Sequence, residues 1–259
     1  MRPHPPEPDH HGPVPLRLFL QPFLEAGYTI SNAMTVRTRR SRADVLEPCV
    51  VLDVVPDDDV EIQRVEMAPY SKHLIRLRPS HVTPLQGDVV PEVVLINSHD
   101  GTSAFKLLAG LFRLVCSNGL IVMDAQFGGI SIPHTTYKAK TALAAASEMT
   151  ELALTVATKD IPKMIETPMP IPAQLTFAVS LDTPYDPVQL IQRRRPEDRE
   201  PNLWTTFNAI QENLTKGGLY QLDRAGRVRR APRVTSITRT VKMNTNLWQA
   251  ATTYLDRTF

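Results

Sequence analysis

The sequence has few cysteines, few aromatic residues and no long apolar run. Two of its 259 residues are cysteine and 6% are aromatic. Cys49 and Cys116 both lie among aliphatic residues, where an isolated thiol behaves as a small hydrophobic side chain, so we expect no disulfide framework. The chain has no stretch of about 18 uncharged apolar residues, so no membrane span is predicted. The N-terminal residues MRPHPPEPDHHGPVP lack the apolar core of a signal peptide. The lack of a membrane span and of a signal peptide together predict a cytoplasmic protein.

The motifs of common enzyme classes are also missing. No glycine-rich phosphate loop is present, and Ser103-x-x-Lys106 lacks the further motifs of acyl enzymes with that spacing. His10 and His11 have no other ligands at metal-binding spacing. The acidic residues 57–59 are typical of a turn, although a metal-dependent nuclease is kept as a less favoured alternative. We therefore expect a binding protein rather than an enzyme, with no metal or cofactor.

The first part of the chain predicts a tail, a short helix and several strands. Residues 1–14 are rich in proline and histidine and are expected to be disordered. Residues 16–24 have the apolar spacing of an amphipathic helix, which Gly27 would end. From residue 28 to residue 96, short runs with β-branched residues are separated by turn sequences, as expected for strands.

The segment NSHDGTSAFKLLAGLFRLVCSNG, residues 97–119, predicts a central apolar helix. At 100° per residue, Lys106 and Arg113 would lie on one narrow side of that helix. Two explanations stay open for this pair. The cations either face nucleic acid, or they form an internal ion pair with an acid such as Asp124 or Glu148.

The second half of the chain predicts helices with further strands between them. A long helix begins near Thr141 and would end or kink at Pro162, and a strand is predicted for AQLTFAVSL. An insertion follows near residues 182–201, and the last part predicts the helix LWTTFNAIQENLTK, the strand PRVTSITRTVKMN and a final helix. The predicted fold class is α+β, with mostly antiparallel sheet packed by the central and C-terminal helices in one domain of residues 15–259.

Positive charge is concentrated in two places. Arg76 and Arg78 alternate with apolar residues in HLIRLR, which predicts a strand with one basic side. From residue 192 onward arginines greatly outnumber acids. The planar guanidinium suits phosphate, so an arginine-rich cluster favours an anionic partner more than a lysine-rich one would. A solvated surface with local ion pairs explains the excess equally well. The predicted nucleic-acid-binding residues are Arg76, Arg78, Lys106, Arg113, Arg227, Arg229, Arg230 and Arg233.

Four segments in this order resemble a known family: KHLIRLR, VVLINSHDGTSAFKLLAGLFRLVCSNGLIV, LWTTFNAIQENLTKGG and RVTSITRTVKMNTNLWQAATTYL. They are similar to the phage- and plasmid-associated domain-of-unknown-function family 932, over roughly residues 27–255. The resemblance implies that the gene is carried by mobile genetic elements. It implies no catalytic residue, because the family has no settled activity.

Two functions fit these observations. The first is a nucleic-acid-binding protein of a mobile element, which binds or anneals single-stranded DNA in recombination or replication and assembles as a homo-oligomer. The low aromatic content, with Trp204 and Trp248 at core-like helix positions, counts against base stacking. The alternative is a protein-binding module, such as an inhibitor of a host defence system, whose partner is a host or mobile-element protein. No membrane partner is expected.

Overall fold

A computed structural model describes residues 16–36, 50–54, 63–67, 72–98, 105–114, 118–121, 129–132, 138–223 and 225–258. The tail predicted at residues 1–14 lies outside these residues, as do both cysteines, Asp124 and the candidates His10, His11, 57–59 and Ser103. Within the described part, helices and antiparallel strands are mixed along the chain. This confirms the predicted α+β class.

Six strands form the main antiparallel sheet. Their bounds are β1 Tyr28–Val36, β4 Lys72–Pro79, β5 Val89–Ser98, β6 Phe105–Arg113, β7 Asn118–Ile121 and β8 Ile130–Ile132. The order is β1-β4-β5-β6-β7, and β8 pairs with the other end of β6. Two smaller antiparallel ribbons join β2, Val50–Val54, to β3, Gln63–Met67, and β9, Tyr220–Leu222, to β10, Val228–Arg230.

Two helices cover one face of this sheet. They are α1, Leu16–Glu25, and α2, Ala139–Glu166, and both were predicted in outline from the sequence. The buried side of α2 is rich in alanine, which lets the helix approach the strands closely. Phe19 of α1 stacks on Phe105 of β6 with ring centroids 5.2 Å apart. Pro162 does not end α2, which continues to Glu166.

The predicted central helix is wrong, because its core is the strand β6. The residues FKLLAGLFR pair with β5 along one edge and with β7 and β8 along the other. Leucine and alanine favour a helix in isolation, but eight of the nine residues are buried here. A strand covered on both faces loses the polar alternation by which strands are recognised. The long helix that packs on the sheet is α2.

Two predicted strands are also helical. AQLTFAVSL lies in α3, Ile171–Ser180, which has a proline in its first turn. PRVTSITRTVKMN runs into α6, Ile237–Asp256, whose first turn is capped by the Ser236 hydroxyl as it accepts from the Arg239 amide. The final helix is therefore present but begins earlier than predicted. Its first residue, Ile237, packs on the opposite sheet face, with Leu74 and Leu108 among others.

The remaining C-terminal elements pack around α5, Leu203–Lys216, which was predicted correctly. Asn202 caps this helix by accepting from the Thr205 amide at 2.9 Å. Trp204 and Trp248 are both buried and both contact Phe207, as expected for core residues. Between α3 and α5 lie α4, Pro187–Leu190, and a 3-10 turn, Pro196–Asp198. The segment predicted as an insertion thus carries structure of its own.

Candidate nucleic-acid interface

The basic side of β4 is buried around an acid on the next strand. Arg76 Nη1 and Arg78 Nη2 each lie 3.3 Å from a carboxylate oxygen of Glu92 in β5. Ser31 donates its hydroxyl to Glu92 Oε1 at 2.5 Å, and the Arg78 guanidinium lies 4.8 Å from the centre of the Phe112 ring. The predicted exposed cationic face is therefore wrong. Apolar and basic residues do alternate along the strand, but its basic side chains form a buried ion cluster with Glu92.

Lys106 and Arg113 do not share a surface. Seven positions separate them on β6, so their side chains project from opposite faces of the sheet. Lys106 is exposed, whereas Arg113 is buried and its Nη1 lies 2.6 Å from Asp198 Oδ1. The internal ion-pair explanation is thus confirmed for Arg113, with Asp198 as the acid. The sequence named Asp124 and Glu148 as examples and did not point to Asp198, because Asp198 lies 85 positions further along the chain than Arg113.

Around Asp198 the 182–201 segment is joined to the core. Arg193 Nη2 donates to Gln174 at 3.2 Å and to Thr206 at 3.1 Å. Burial lowers the pKa of the Arg193 guanidinium below its ordinary value, while the nearby charge of Asp198 acts in the opposite direction. Arg193, at the start of the arginine-rich region, therefore stabilises the fold.

Glu212 neutralises two further cations of this region. Its carboxylate lies 3.0 Å from Arg195 Nη2 and 2.6 Å from Lys216 Nζ. Burial acts to raise the pKa of Glu212, but hydrogen bonds and charge from Arg195 and Lys216 outweigh it, so the pKa is lowered. A carboxyl with a lowered pKa stabilises the fold above its unfolded pKa, and this stability is lost as the pH falls through the folded value.

We predict that Glu212→Gln lowers the free energy of unfolding by about 1–3 kcal/mol at pH 7, because both cations lose a charged acceptor. The difference from the wild type should shrink below the ordinary glutamate pKa of about 4.3. Urea unfolding at several pH values measures both effects. Glu197→Gln, at an exposed glutamate, is the control and should change little. A Glu212→Gln effect that stays constant down to pH 3 would contradict the assignment.

The other four predicted residues come together on an exposed β-hairpin. Arg229 and Arg230 lie in β10, Arg227 immediately precedes it, and Arg233 follows it. Asp223 holds the turn, since its Oδ1 accepts from the amides of Ala225 and Arg227, and Gly226 there has φ of 73°. We call this feature, residues 220–223 and 225–233, the arginine hairpin.

Ion pairing leaves half of these arginines without an acid. Arg227 and Arg229 lie 3.5 and 3.0 Å from Asp223 Oδ2, although both side chains are largely exposed. The Arg227 amide and the Arg229 guanidinium both lower the pKa of Asp223. Arg230 and Arg233 are exposed and have no ion pair among the described residues. The hairpin therefore carries an excess of positive charge.

One face of the arginine hairpin combines apolar side chains with a cation. Tyr220 is opposite Arg230 and Leu222 is opposite Val228, so all four share a face. The exposed fractions of Tyr220, Leu222 and Val228 are 55%, 70% and 68%. Sequence reasoning missed these apolar residues, because three-residue strands carry almost no pattern. Exposed aromatic and apolar side chains beside cations are typical of an interaction surface.

The hairpin is fixed to the body of the protein at its base. The side-chain amide of Gln189 in α4 accepts from the Tyr220 amide at 2.8 Å and donates to its carbonyl at 3.3 Å. Val234 donates to the Thr215 carbonyl at the end of α5 at 2.9 Å. These contacts hold the hairpin in place while its tip and one face stay open to a partner.

A cleft of about 340 Å³ opens near this base. On one side it is lined by Arg239, Lys242 and Asn246 of α6, and on the other by residues 181–185 after α3. Leu214, adjacent to the Thr215 carbonyl that holds the hairpin, also lines it. Arg239 and Lys242 thus give this cleft two exposed cations.

Metal and membrane features are not found in the described part of the chain. No group of three histidine, cysteine, aspartate or glutamate residues there is arranged to hold a metal ion. No described helix combines the length and apolar character that a membrane crossing requires.

Comparison with known proteins identifies the family. A model described as "Domain of unknown function (DUF932)" matches residues 61–249, so the chain belongs to this family, as the sequence resemblance predicted. UPF0380 protein YfjQ of Escherichia coli (strain K12) is 36% identical over 193 residues, which are 72% of this chain and 70% of that protein. UPF0380 protein YafZ of the same strain is 36% identical over 190 residues, which are 70% of this chain and 68% of that protein. No solved structure matches.

Proposed function

We propose that this protein binds nucleic acid through the arginine hairpin, with single-stranded DNA as the favoured ligand. The observation that carries the proposal is the position of Arg227, Arg229, Arg230 and Arg233, which lie together on an exposed and anchored hairpin. Arginine side chains release counterions from the phosphate backbone and provide most sequence-independent affinity. The protein would serve the recombination or replication of a mobile genetic element.

Tyr220 favours a single strand over a duplex. Its exposed ring shares a face with Arg230, and single-strand binders combine backbone cations with aromatic rings on which bases stack. The two tryptophans do not contribute to such stacking because both are buried. A single exposed tyrosine predicts modest stacking, so we expect the phosphate contacts to dominate the affinity.

The direct test replaces Arg227, Arg229, Arg230 and Arg233 together by glutamine and measures binding to labelled oligonucleotides across a salt series. For a single strand, four phosphate contacts predict roughly a 50-fold loss of affinity between 50 and 200 mM salt. The variant should lose most of that dependence. Tyr220→Leu should weaken single-strand binding by about 1–3 kcal/mol and leave the salt slope unchanged.

The charge-matched control replaces Lys138, Lys140, Lys159 and Lys163, exposed lysines on or next to α2, by glutamine. It lowers the net charge equally but leaves the hairpin intact. Equal losses in the two variants would show that only net charge matters. Unchanged affinity and salt slope in the hairpin variant would overturn the proposal. Light scattering on the same samples tests the predicted homo-oligomer.

A protein partner is the second candidate, and the exposed pair Leu222 and Val228 favours it. Paired apolar side chains on an anchored hairpin are suited to a partner with a complementary apolar surface. This alternative includes an inhibitor of a host defence system. A single stoichiometric partner, bound at moderate salt and lost in Leu222→Ser/Val228→Ser, would favour it over DNA binding.

A further inference from the structure

We propose that the cleft between α6 and residues 181–185 binds one nucleoside 5′-phosphate unit. The inference rests on the proposed function, since a strand held by the arginine hairpin would deliver such a unit to the cleft. The shared chemistry is a phosphate, a sugar and a base. Its source is either a nucleotide of a bound strand or a free mononucleotide.

The phosphate end of the ligand would lie at Arg239 and Lys242. These residues are three positions apart in the first half of α6, so their side chains project from one side of the helix. Both are exposed, and neither forms an ion pair among the described residues. The positive end of the helix dipole also favours an anion near this first turn. Two unpaired cations at one cleft are suited to a phosphate.

The apolar part of the cleft provides a surface for a base. Leu181, Leu214, Met243 and Leu247 line it, and Leu247 is buried. Inorganic phosphate alone would make no use of these side chains. A flat, weakly polar ring system would cover them and gain from removal of apolar surface from water. The combination of cations with an apolar floor therefore favours a nucleotide over a simple anion.

Polar groups at the opposite side suit the sugar and the base edge. The Thr183 hydroxyl oxygen is buried and has no hydrogen-bond partner among the described residues. A buried polar atom without a partner is costly, and a hydrogen bond with a ligand hydroxyl or amino group would offset that cost. Asp182, at a left-handed φ of 47°, and Asn246 of α6 add an acceptor and an amide to the lining.

The size of the cleft limits the ligand to one unit. At about 340 Å³ it lies near the lower end of the range for small-molecule sites, which runs from about 300 to 1,000 Å³. One nucleotide fits this space, and a longer segment must continue outside it. The arginine hairpin is held at Thr215, next to the lining residue Leu214, and is the basic surface that we propose for that continuation.

The test measures calorimetric binding of deoxyadenosine 5′-monophosphate, inorganic phosphate and deoxyadenosine to the full chain. We expect saturable binding of the nucleotide, at least about tenfold tighter than that of phosphate or nucleoside alone. Arg239→Gln/Lys242→Gln should weaken nucleotide binding at least about tenfold, since two charged contacts are lost. Asn246→Trp, at an exposed rim position, should block the cleft with no change of charge.

The control is Lys159→Gln/Lys163→Gln, which removes the same charge from exposed positions of α2. The inference is overturned if the nucleotide shows no saturable binding, if phosphate binds equally well, or if the control weakens binding as much as the cleft variant. Circular dichroism establishes that each variant is folded. Because both replaced cations are exposed and outside any described ion pair, we expect no loss of structure.

Oligonucleotide binding separates this inference from the proposed function. Competition between a single-stranded oligonucleotide and the mononucleotide would show that the strand places a unit in the cleft. Nucleotide binding without oligonucleotide binding would retain the cleft site and overturn the proposed function. Nucleotide binding with which an oligonucleotide does not compete would identify a free mononucleotide as the ligand of the cleft. Oligonucleotide binding that does not depend on Arg239 and Lys242, together with no saturable nucleotide binding, would retain the function and overturn the inference.

Discussion

Glu92→Gln lowers the free energy of unfolding by about 3–5 kcal/mol, which is the range expected when one partner of a buried ion pair is removed. Arg76 and Arg78 would stay in the sheet interior without the carboxylate that both contact at 3.3 Å. The glutamine amide has only one oxygen, so the Ser31 hydroxyl either keeps that oxygen as its acceptor or faces the NH2 group and loses its acceptor. Urea or thermal unfolding of the purified variant measures the loss.

Two companion variants make this prediction specific. Ser31→Ala removes only the neutral donor to Glu92 and should cost about 1 kcal/mol. Glu151→Gln, at an exposed glutamate of α2, should stay within about 0.5 kcal/mol of the wild type. A Glu92→Gln change as small as that of Glu151→Gln would contradict a buried ion cluster at this sheet face.

Arg113→Ala also destabilises the fold by about 3–5 kcal/mol, for a different set of contacts. Asp198 would lose the guanidinium that lies 2.6 Å from it, and the charge would remain buried. The Trp204 ring would lose a cation 5.9 Å from its centre. Chemical denaturation measures the effect, and the matched control is Lys106→Ala on the same strand.

The control should behave in the opposite way, because Lys106 is exposed and the structure places it on the other face of β6. We expect a change within about 0.5 kcal/mol for Lys106→Ala. Equal destabilisation by the two substitutions, or none by Arg113→Ala, would contradict the assignment of Arg113 to the Asp198 pair. Any loss of DNA binding in Arg113→Ala would follow from unfolding and would say nothing about a direct contact.

The structure divides the predicted cations into buried and exposed residues, and only the exposed ones are open to a ligand. Arg76, Arg78 and Arg113 are buried in ion pairs, whereas Lys106 is exposed. The four hairpin arginines keep the role that the sequence predicted for them as a hypothesis. The DUF932 match, residues 61–249, includes the arginine hairpin and every residue that lines the cleft. Variants at those two places are therefore the direct route to a function for this family.

Two of the errors in secondary structure share one physical cause. The helix predicted at 97–119 and the strand predicted from AQLTFAVSL were assigned from apolar composition and local propensity. In β6 the pairing with three other strands outweighs the helix preference of leucine and alanine. In α3 a proline in the first turn and packing against α4 and α5 outweigh the strand-like composition. Short apolar runs leave this choice to tertiary contacts.

The sequence by itself determined the α+β class, the helices α1, α2 and α5, the family and the arginine-rich character of the C-terminal region. Only the tertiary structure decided which arginines remain open to a ligand. An exposed and a buried guanidinium look the same in the sequence, and the acid that buries one can be far away. Glu92 lies 16 and 14 positions from Arg76 and Arg78, and Asp198 lies 85 positions from Arg113. Local patterns carry no information about pairing over such separations, since it depends on how the strands and the 182–201 segment pack.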